Sequence, residues 1–252
     1  MRVLPVLLSI PHGGTHIPEE LKKLICIERK DVFYDSDPYS KELYDLGRDV
    51  KKVIFFPIAR AFIDVNRHNT HLPPAFPDGV IKSHTCHQIK IYRNPPENRC
   101  VERVIKRYYE TFHNKIRNAV KDKEITLCLD CHTMLAYSPA ISPVPGEKRP
   151  LLCLGNCDGR SCSFEKVEKL ANCFKEVFSL GKNDISINEP FRGGYISRTY
   201  GQNPLPWIQV ELNRDLYLNS EWFKENTMRI NPQILDRIRS LFKKVLIKYF
   251  EK

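Results

Sequence analysis

Apolar residues fall along this chain in short continuous blocks, separated by polar segments where apolar positions return every three or four residues. The blocks VLPVLLSI (3–10), KKVIFFPIA (51–59), ITLCLDCH (125–132), LLCLGN (151–156) and WIQVELNR (207–214) have the length of buried strands. The second pattern predicts helices over residues 37–50, 100–121, 163–179 and 231–250, with Asp37 at the start of the first. A short helix is expected after Pro18 in HIPEELKKLI, and AFIDVN (61–66) reads as a continuation of the second strand or as a third. Residues 68–100 are rich in Pro, His and Asn and read as a long irregular excursion, which in a compact domain usually serves function. Strands alternating with helices predict a three-layer α/β/α fold around a mixed, mostly parallel central sheet. Neither repeats nor a linker interrupt the pattern, so residues 1–252 are expected to form a single domain.

Composition narrows the class. At 42% hydrophobic residues the chain is ordinary globular protein, neither disordered nor membrane-embedded. The start, MRVLPVLLSIPH, is too short for a signal peptide, lacks a small-residue cleavage site, and runs straight into PHGG, so it reads as a buried strand. No run approaches the length of a bilayer span. Nine scattered cysteines, several in apolar strands, suggest reduced thiols and a cytoplasmic protein. Cys128 and Cys131 are expected on opposite faces of one strand, which argues against a redox pair. The spacing of Cys153, Cys157 and Cys162 is irregular for a structural zinc. The net charge of +10 is dispersed over helix-like faces such as ERVIKRYYETFHNKIRNAVKDK. It favours small acidic ligands over nucleic acid.

The candidate chemistry sits where apolar runs end. WIQVELNRDLY places Glu211 inside a buried strand, where a charge costs several kcal/mol unless a metal, a ligand or an arginine compensates it. SIPHGG and CLDCHTM each end a strand in a histidine, His12 and His132. Asp130 shares a strand face with His132 and is placed to orient its ring. Two glycines between His12 and His16 argue against a helical metal pair, so His16 is expected outside the site. ARAFIDVNR offers Arg60, Asp64, Asn66 and Arg67. Its arginine and asparagine suit a carboxylate, the alternative being an Asp64–Arg67 ion pair. PFRGGYISRTYGQ combines Arg192 and Arg198 with three glycines and two tyrosines, which suits closure over an anion without forming a P-loop.

Taken in order, SIPHGG, DSDPYSKELY, ARAFIDVNR, DCHTM, FRGGYISRTYG and IQVELNRDLY resemble the N-formylglutamate amidohydrolase family, over about residues 8–220. That family is related in fold to the zinc carboxypeptidases and the aspartoacylase-like deacylases. The resemblance implies a zinc-carboxypeptidase-like (phosphorylase/hydrolase-like) domain with about eight strands and a catalytic zinc or other divalent metal. It implies His12 and His132 as metal ligands, Asn66 and Arg67 as holders of the substrate carboxylate, and Glu211 as the base that activates water. Carboxypeptidases take a middle ligand from H-x-x-E, but here Thr15 stands three residues after His12. The carboxylate must come from elsewhere, and the resemblance of the D-S-D-P segment to the family's acidic motif implies Asp37, with Asp35 as the alternative. Arg192 and Arg198 are expected to assist in substrate binding, and Arg60 to stabilise an oxyanion. The implied reaction is hydrolysis of N-formyl-L-glutamate to formate and L-glutamate, with a small N-acyl amino acid as partner and neither nucleic acid nor membrane. Hydrolysis of another N-acyl amino acid or small peptide, or a non-catalytic binding role, are the rival readings.

Overall fold

The computed structural model describes residues 3–251, so the ends of the 1–252 span lie outside the described residues. Strand β1 (Leu4–Ile10) opens the chain, followed by α1 (Arg29–Asp35), α2 (Ser40–Tyr44) and β2 (Val50–Phe55). After the irregular excursion, α3 (Asn98–Val104) continues through a π-helical turn (Ile105–Tyr109) into α4 (Glu110–Ala119). Next come β3 (Leu127–Met134), β4 (Leu152–Gly155), α5 (Phe164–Val177), β5 (Ile185–Ile187), α6 (Tyr195–Tyr200) and β6 (Trp207–Asn213). A small hairpin, β7 (Phe223–Lys224) and β8 (Arg229–Ile230), precedes the long α7 (Pro232–Phe250). Pro232 opens α7, and the Asn231 side chain caps it by accepting from Gln233 N at 3.0 Å.

Six strands form the main sheet in the order β2-β1-β3-β6-β4-β5. Every neighbouring pair is parallel except β4 and β6, so the sheet is mixed and mostly parallel. All eight residues of β3 are buried, as expected for a strand covered on both faces. One face carries Leu8, Cys131 and Val210 against Leu43, Phe174 and Phe242 of α2, α5 and α7. The other carries Leu7, Cys128 and Trp207 against Val104, Phe112 and Ile116 of the α3–α4 run. Cys128 and Cys131 thus lie on opposite faces, as strand alternation requires, and every cysteine is a free thiol.

Four local expectations change. The sheet has six strands rather than about eight, with two further short strands in the separate hairpin. AFIDVN is not a strand: its backbone turns, with Phe62 N bonded to Ala59 O at 3.0 Å and Asp64 N to Val80 O at 2.9 Å. Its apolar residues Ala61, Phe62, Ile63 and Val65 are wholly buried under the sheet, which explains the strand-like composition. HIPEELKKLI forms successive turns with bonds such as Leu24 N to Leu21 O (2.9 Å) instead of a helix. The helix expected over 37–50 shrinks to α2 because Asp37 is held back at the end of β1, its N–H bonded to His12 O at 3.1 Å. Among the described residues no helix is long and apolar enough to cross a membrane.

Candidate active site

The central strands β1, β3 and β6 are adjacent and parallel, so their C-terminal ends open on one edge of the sheet. His12 follows β1, His132 lies near the end of β3, and Glu211 is the register partner of His132 on β6. Asp37 arrives from the turn between α1 and α2. These groups line one cavity of about 400 Å³.

His12, Asp37 and His132 are the one group of potential metal ligands gathered among the described residues. His132 Nδ1 lies 3.1 Å from both His12 Nδ1 and Asp37 Oδ2, and His12 Nδ1 lies 3.6 Å from Asp37 Oδ2. The far ring nitrogens are spoken for. Asp64 Oδ1 is 2.8 Å from His12 Nε2, and Asp130 Oδ2 is 3.1 Å from His132 Nε2. An ionised carboxylate only accepts, so both Nε2 atoms donate, which leaves each Nδ1 as the ring nitrogen able to give a lone pair to a cation that displaces any proton there. Two converging ring nitrogens and a carboxylate oxygen, oriented by carboxylates behind them, fit a divalent cation. Burial works against the Asp37 charge, but the two imidazoles outweigh it and hold its pKa well below the usual carboxylate range. Burial likewise disfavours charge on His132, yet Asp130 and Asp37 push its pKa well above the ordinary value.

Asp37 is aimed by its other oxygen. Arg214 Nη2 binds Asp37 Oδ1 at 3.0 Å, while Arg214 Nε binds Thr133 Oγ1 at 3.1 Å and its fork also reaches the Ser36 carbonyl. The Thr133 N–H donates to Asp37 Oδ2 at 3.2 Å. Asp35, the alternative ligand, is occupied elsewhere. Its two oxygens accept from the fully buried Lys82 at 2.9 and 2.7 Å, and Cys86 N donates to Oδ1 at 2.7 Å.

Glu211 is 6% exposed, and the Gln209 amide donates to its Oε1 at 2.7 Å. Gln209 Oε1 in turn accepts the Gly194 N–H, linking the FRGG segment to the carboxylate. Burial is the main cause that lifts the Glu211 pKa to about 7, opposed by His132 and aided by Asp37. Such a group exchanges protons near neutrality, as a general base must.

Within ARAFIDVNR the alternative Asp64–Arg67 ion pair does not form. Asp64 takes His12 and Arg60 (3.0 Å to Nε), not Arg67. Arg67 pairs with Asp78, at 2.6 Å to Oδ2 and 2.9 Å to the carbonyl. Asn66 is held on three sides: its N–H donates to Asp64, its Oδ1 accepts from Ile196 N at 2.8 Å, and Nδ2 donates at 3.4 Å to Asp130, the carboxylate that also accepts from His132 Nε2. It therefore ties the start of α6 to the histidines. Gly194 makes this approach possible, because a Cβ there would sit 2.1 Å from Asn66 Nδ2. Arg60 and Arg67 line the cavity, Arg192 and Arg198 lie exposed at its rim, and His16 is exposed. Sequence reasoning missed Asp64 as a partner of His12, Gln209 as a support for Glu211, and Arg214 as a support for Asp37. Gln209 had a signal, since it sits two residues before Glu211 on the same strand face.

The sequence profile of the N-formylglutamate amidohydrolase family matches residues 4–218. The chain belongs to the N-formylglutamate amidohydrolase family. Family members are hydrolases of carbon–nitrogen bonds other than peptide bonds. The N-formylglutamate deformylase of Pseudomonas aeruginosa is 23% identical over 230 residues, covering 86% of this chain and 84% of that protein. An N-formylglutamate amidohydrolase from Ralstonia eutropha JMP134 shares the fold, with a TM-score of 0.79, 20% identity, and coverage of 98% of this chain and 93% of that one. A gene product of Agrobacterium tumefaciens superposes with a TM-score of 0.67 at 14% identity, covering 98% of this chain and 90% of that one.

Proposed function

We propose that this chain is a zinc-dependent amidohydrolase that cleaves N-formyl-L-glutamate with water to give formate and L-glutamate. The observation that carries the reading is the convergence of His12 Nδ1, Asp37 Oδ2 and His132 Nδ1 beside a buried carboxylate, Glu211. Two imidazoles and one carboxylate are a donor set suited to zinc. When bound, zinc supplies Lewis-acid activation of the attacking water and of the acyl carbonyl.

The remaining chemistry falls to side chains of this chain. Glu211, buried and held at one oxygen by Gln209, accepts the proton of the attacking water and returns it to the departing nitrogen. Arg60, fixed through Nε by Asp64, is the donor assigned to the developing oxyanion. Arg67 lines the cavity beside Asn66 and holds the substrate's α-carboxylate, sharing its fork with Asp78. Asn66 acts by positioning Asp130, and through it His132, and the start of α6 around that arginine. Arg192 and Arg198 at the rim attract the anionic substrate.

The test is product analysis. Purified protein supplied with zinc and N-formyl-L-glutamate is expected to release formate and L-glutamate in equal amounts, and N-acetyl-L-glutamate tests the acyl preference. Absence of both products from every N-formyl amino acid tried would sink the proposal.

A further inference from the structure

The cations around the cavity are not equivalent. Arg60, Arg67 and Arg214 lie within 3.0 Å of the carboxylates of Asp64, Asp78 and Asp37 respectively. The Arg192 side chain is 73% exposed and reaches only Asp158, at 3.5 Å. Arg198 is exposed and donates to the Gly194 carbonyl. Arg149 differs from all of these. Its Nε is buried with no acceptor among the described residues, and no described carboxylate pairs with its guanidinium. The guanidinium carbon stands 4.9 Å from the centre of the Phe191 ring, which presents a flat surface to the cation. Its backbone is fixed at both ends, with N–H bonded to Ala136 O at 2.9 Å and the carbonyl accepting from Asn213 Nδ2 at 3.3 Å.

A buried donor without an acceptor costs free energy unless a ligand meets it. Arg149 is therefore a prepositioned cation whose charge is not spent inside the protein. Burial depresses its pKa, with the nearby Glu211 charge acting in the opposite sense. It lines both the catalytic cavity and the groove that continues between the 136–150 and 183–192 segments. That position suits the far end of a substrate side chain better than the reacting acyl group.

Resting on the proposed function, we infer that Arg149 is the specificity residue that binds the side-chain carboxylate of an N-acylated acidic amino acid. The substrate brings two carboxylates. The α-carboxylate is assigned to Arg67, and Arg149, half-buried with its Nε shielded from solvent, is the cation left for the other. A carboxylate there completes a charge-assisted hydrogen bond, whereas a neutral amide of the same shape leaves the guanidinium uncompensated.

Two comparisons on wild type, Arg149→Met and Arg149→Lys test this. The first is kcat/KM for N-formyl-L-glutamate against N-formyl-L-glutamine, which differ only at the side-chain end. Wild type is expected to prefer the glutamate substrate by about 100-fold or more. Arg149→Met should lower that preference to less than about tenfold while leaving the glutamine substrate within about threefold of wild type, and Arg149→Lys should be intermediate. The second is calorimetric binding of L-glutamate against L-glutamine, which needs no turnover and should show the same loss of preference. An unchanged preference in Arg149→Met, or an equal fall for both ligands, overturns the assignment. If wild type turns over no N-formyl amino acid yet binds L-glutamate preferentially through Arg149, the assignment stands and the reaction proposed above falls.

Discussion

Glu211 sits 6% exposed on a strand among apolar neighbours, with one amide partner and two imidazoles nearby, and this environment rather than its chemistry as a glutamate sets its role. Its replacement by glutamine keeps size and the Gln209 contact surface but removes the proton acceptor. Glu211→Gln is expected to retain metal and fold while losing about 100- to 10,000-fold in turnover; a loss below tenfold in a folded, metal-loaded protein would mean that another group is the base. The two aspartates of the DSD segment make a sharper contrast. Asp37 faces the histidines, whereas Asp35 neutralises the fully buried Lys82. Asp35→Asn is therefore expected to keep the metal but destabilise the protein by about 2 kcal/mol, because it leaves the buried ammonium with Asp78, 3.0 Å away, as its one remaining carboxylate. His12→Ala and His132→Ala are expected to lose the metal. Elemental analysis paired with urea denaturation separates the two outcomes, and metal loss in Asp35→Asn with unchanged stability would reverse the assignment. His12, His132 and Glu211 stood out because each ends or interrupts an apolar run, whereas Asp37 stood out only through the family resemblance of its D-S-D-P segment. Asp64 was not, since its partner lies 52 residues away and a charge beside Arg67 suggests the nearer pair. Arg149 carries no motif at all, and what marks it out is an absence of partners visible only in three dimensions.

At the scale of elements, continuous apolar runs identified β1, β3, β4 and β6, and helical spacing identified α5 and α7. The same composition misled at 61–66, where burial under the sheet makes a turning segment look like a strand. That segment reaches α4 through His113, which is 2% exposed. His113 Nε2 is 2.9 Å from Val65 O and its Nδ1 is 2.8 Å from the Tyr200 hydroxyl, a pairing that the neutral ring satisfies. Burial is the chief cause that lowers its pKa to about 4 from 6.5. Between those values the unfolded chain binds a proton that the native one refuses. Stability is then complete above pH 6.5 and is lost as the pH falls toward about 4, at about 1.4 kcal/mol per unit, or about 2 kcal/mol by pH 5. Urea midpoints of wild type and His113→Gln from pH 7.5 down to 5 should therefore converge, as the variant lacks this slope. Parallel profiles would show that His113 is not neutral in the native state.

The whole molecule brings together residues from positions 12, 37, 132 and 211 by placing β1, β3 and β6 side by side at the centre of the sheet. Alternation of strands and helices made the layered class readable, since each element must bury its apolar face. Strand order was not readable. Nor was the antiparallel entry of β4 next to β6, because a run buried on both faces reads the same in either direction. The edge created by that order is where the sheet delivers its polar groups, as open α/β sheets do. If this edge is a metal-dependent amidohydrolase centre, catalysis should follow the metal through removal and return. The decisive measurement is formate release from N-formyl-L-glutamate by a single wild-type preparation, assayed as purified, after chelation and dialysis, and after stepwise addition of zinc. Activity is expected to fall to background on chelation and to recover linearly, reaching its maximum at one zinc per chain. Full activity in the metal-free protein, or zinc binding at one per chain with no formate released at any step, would contradict it.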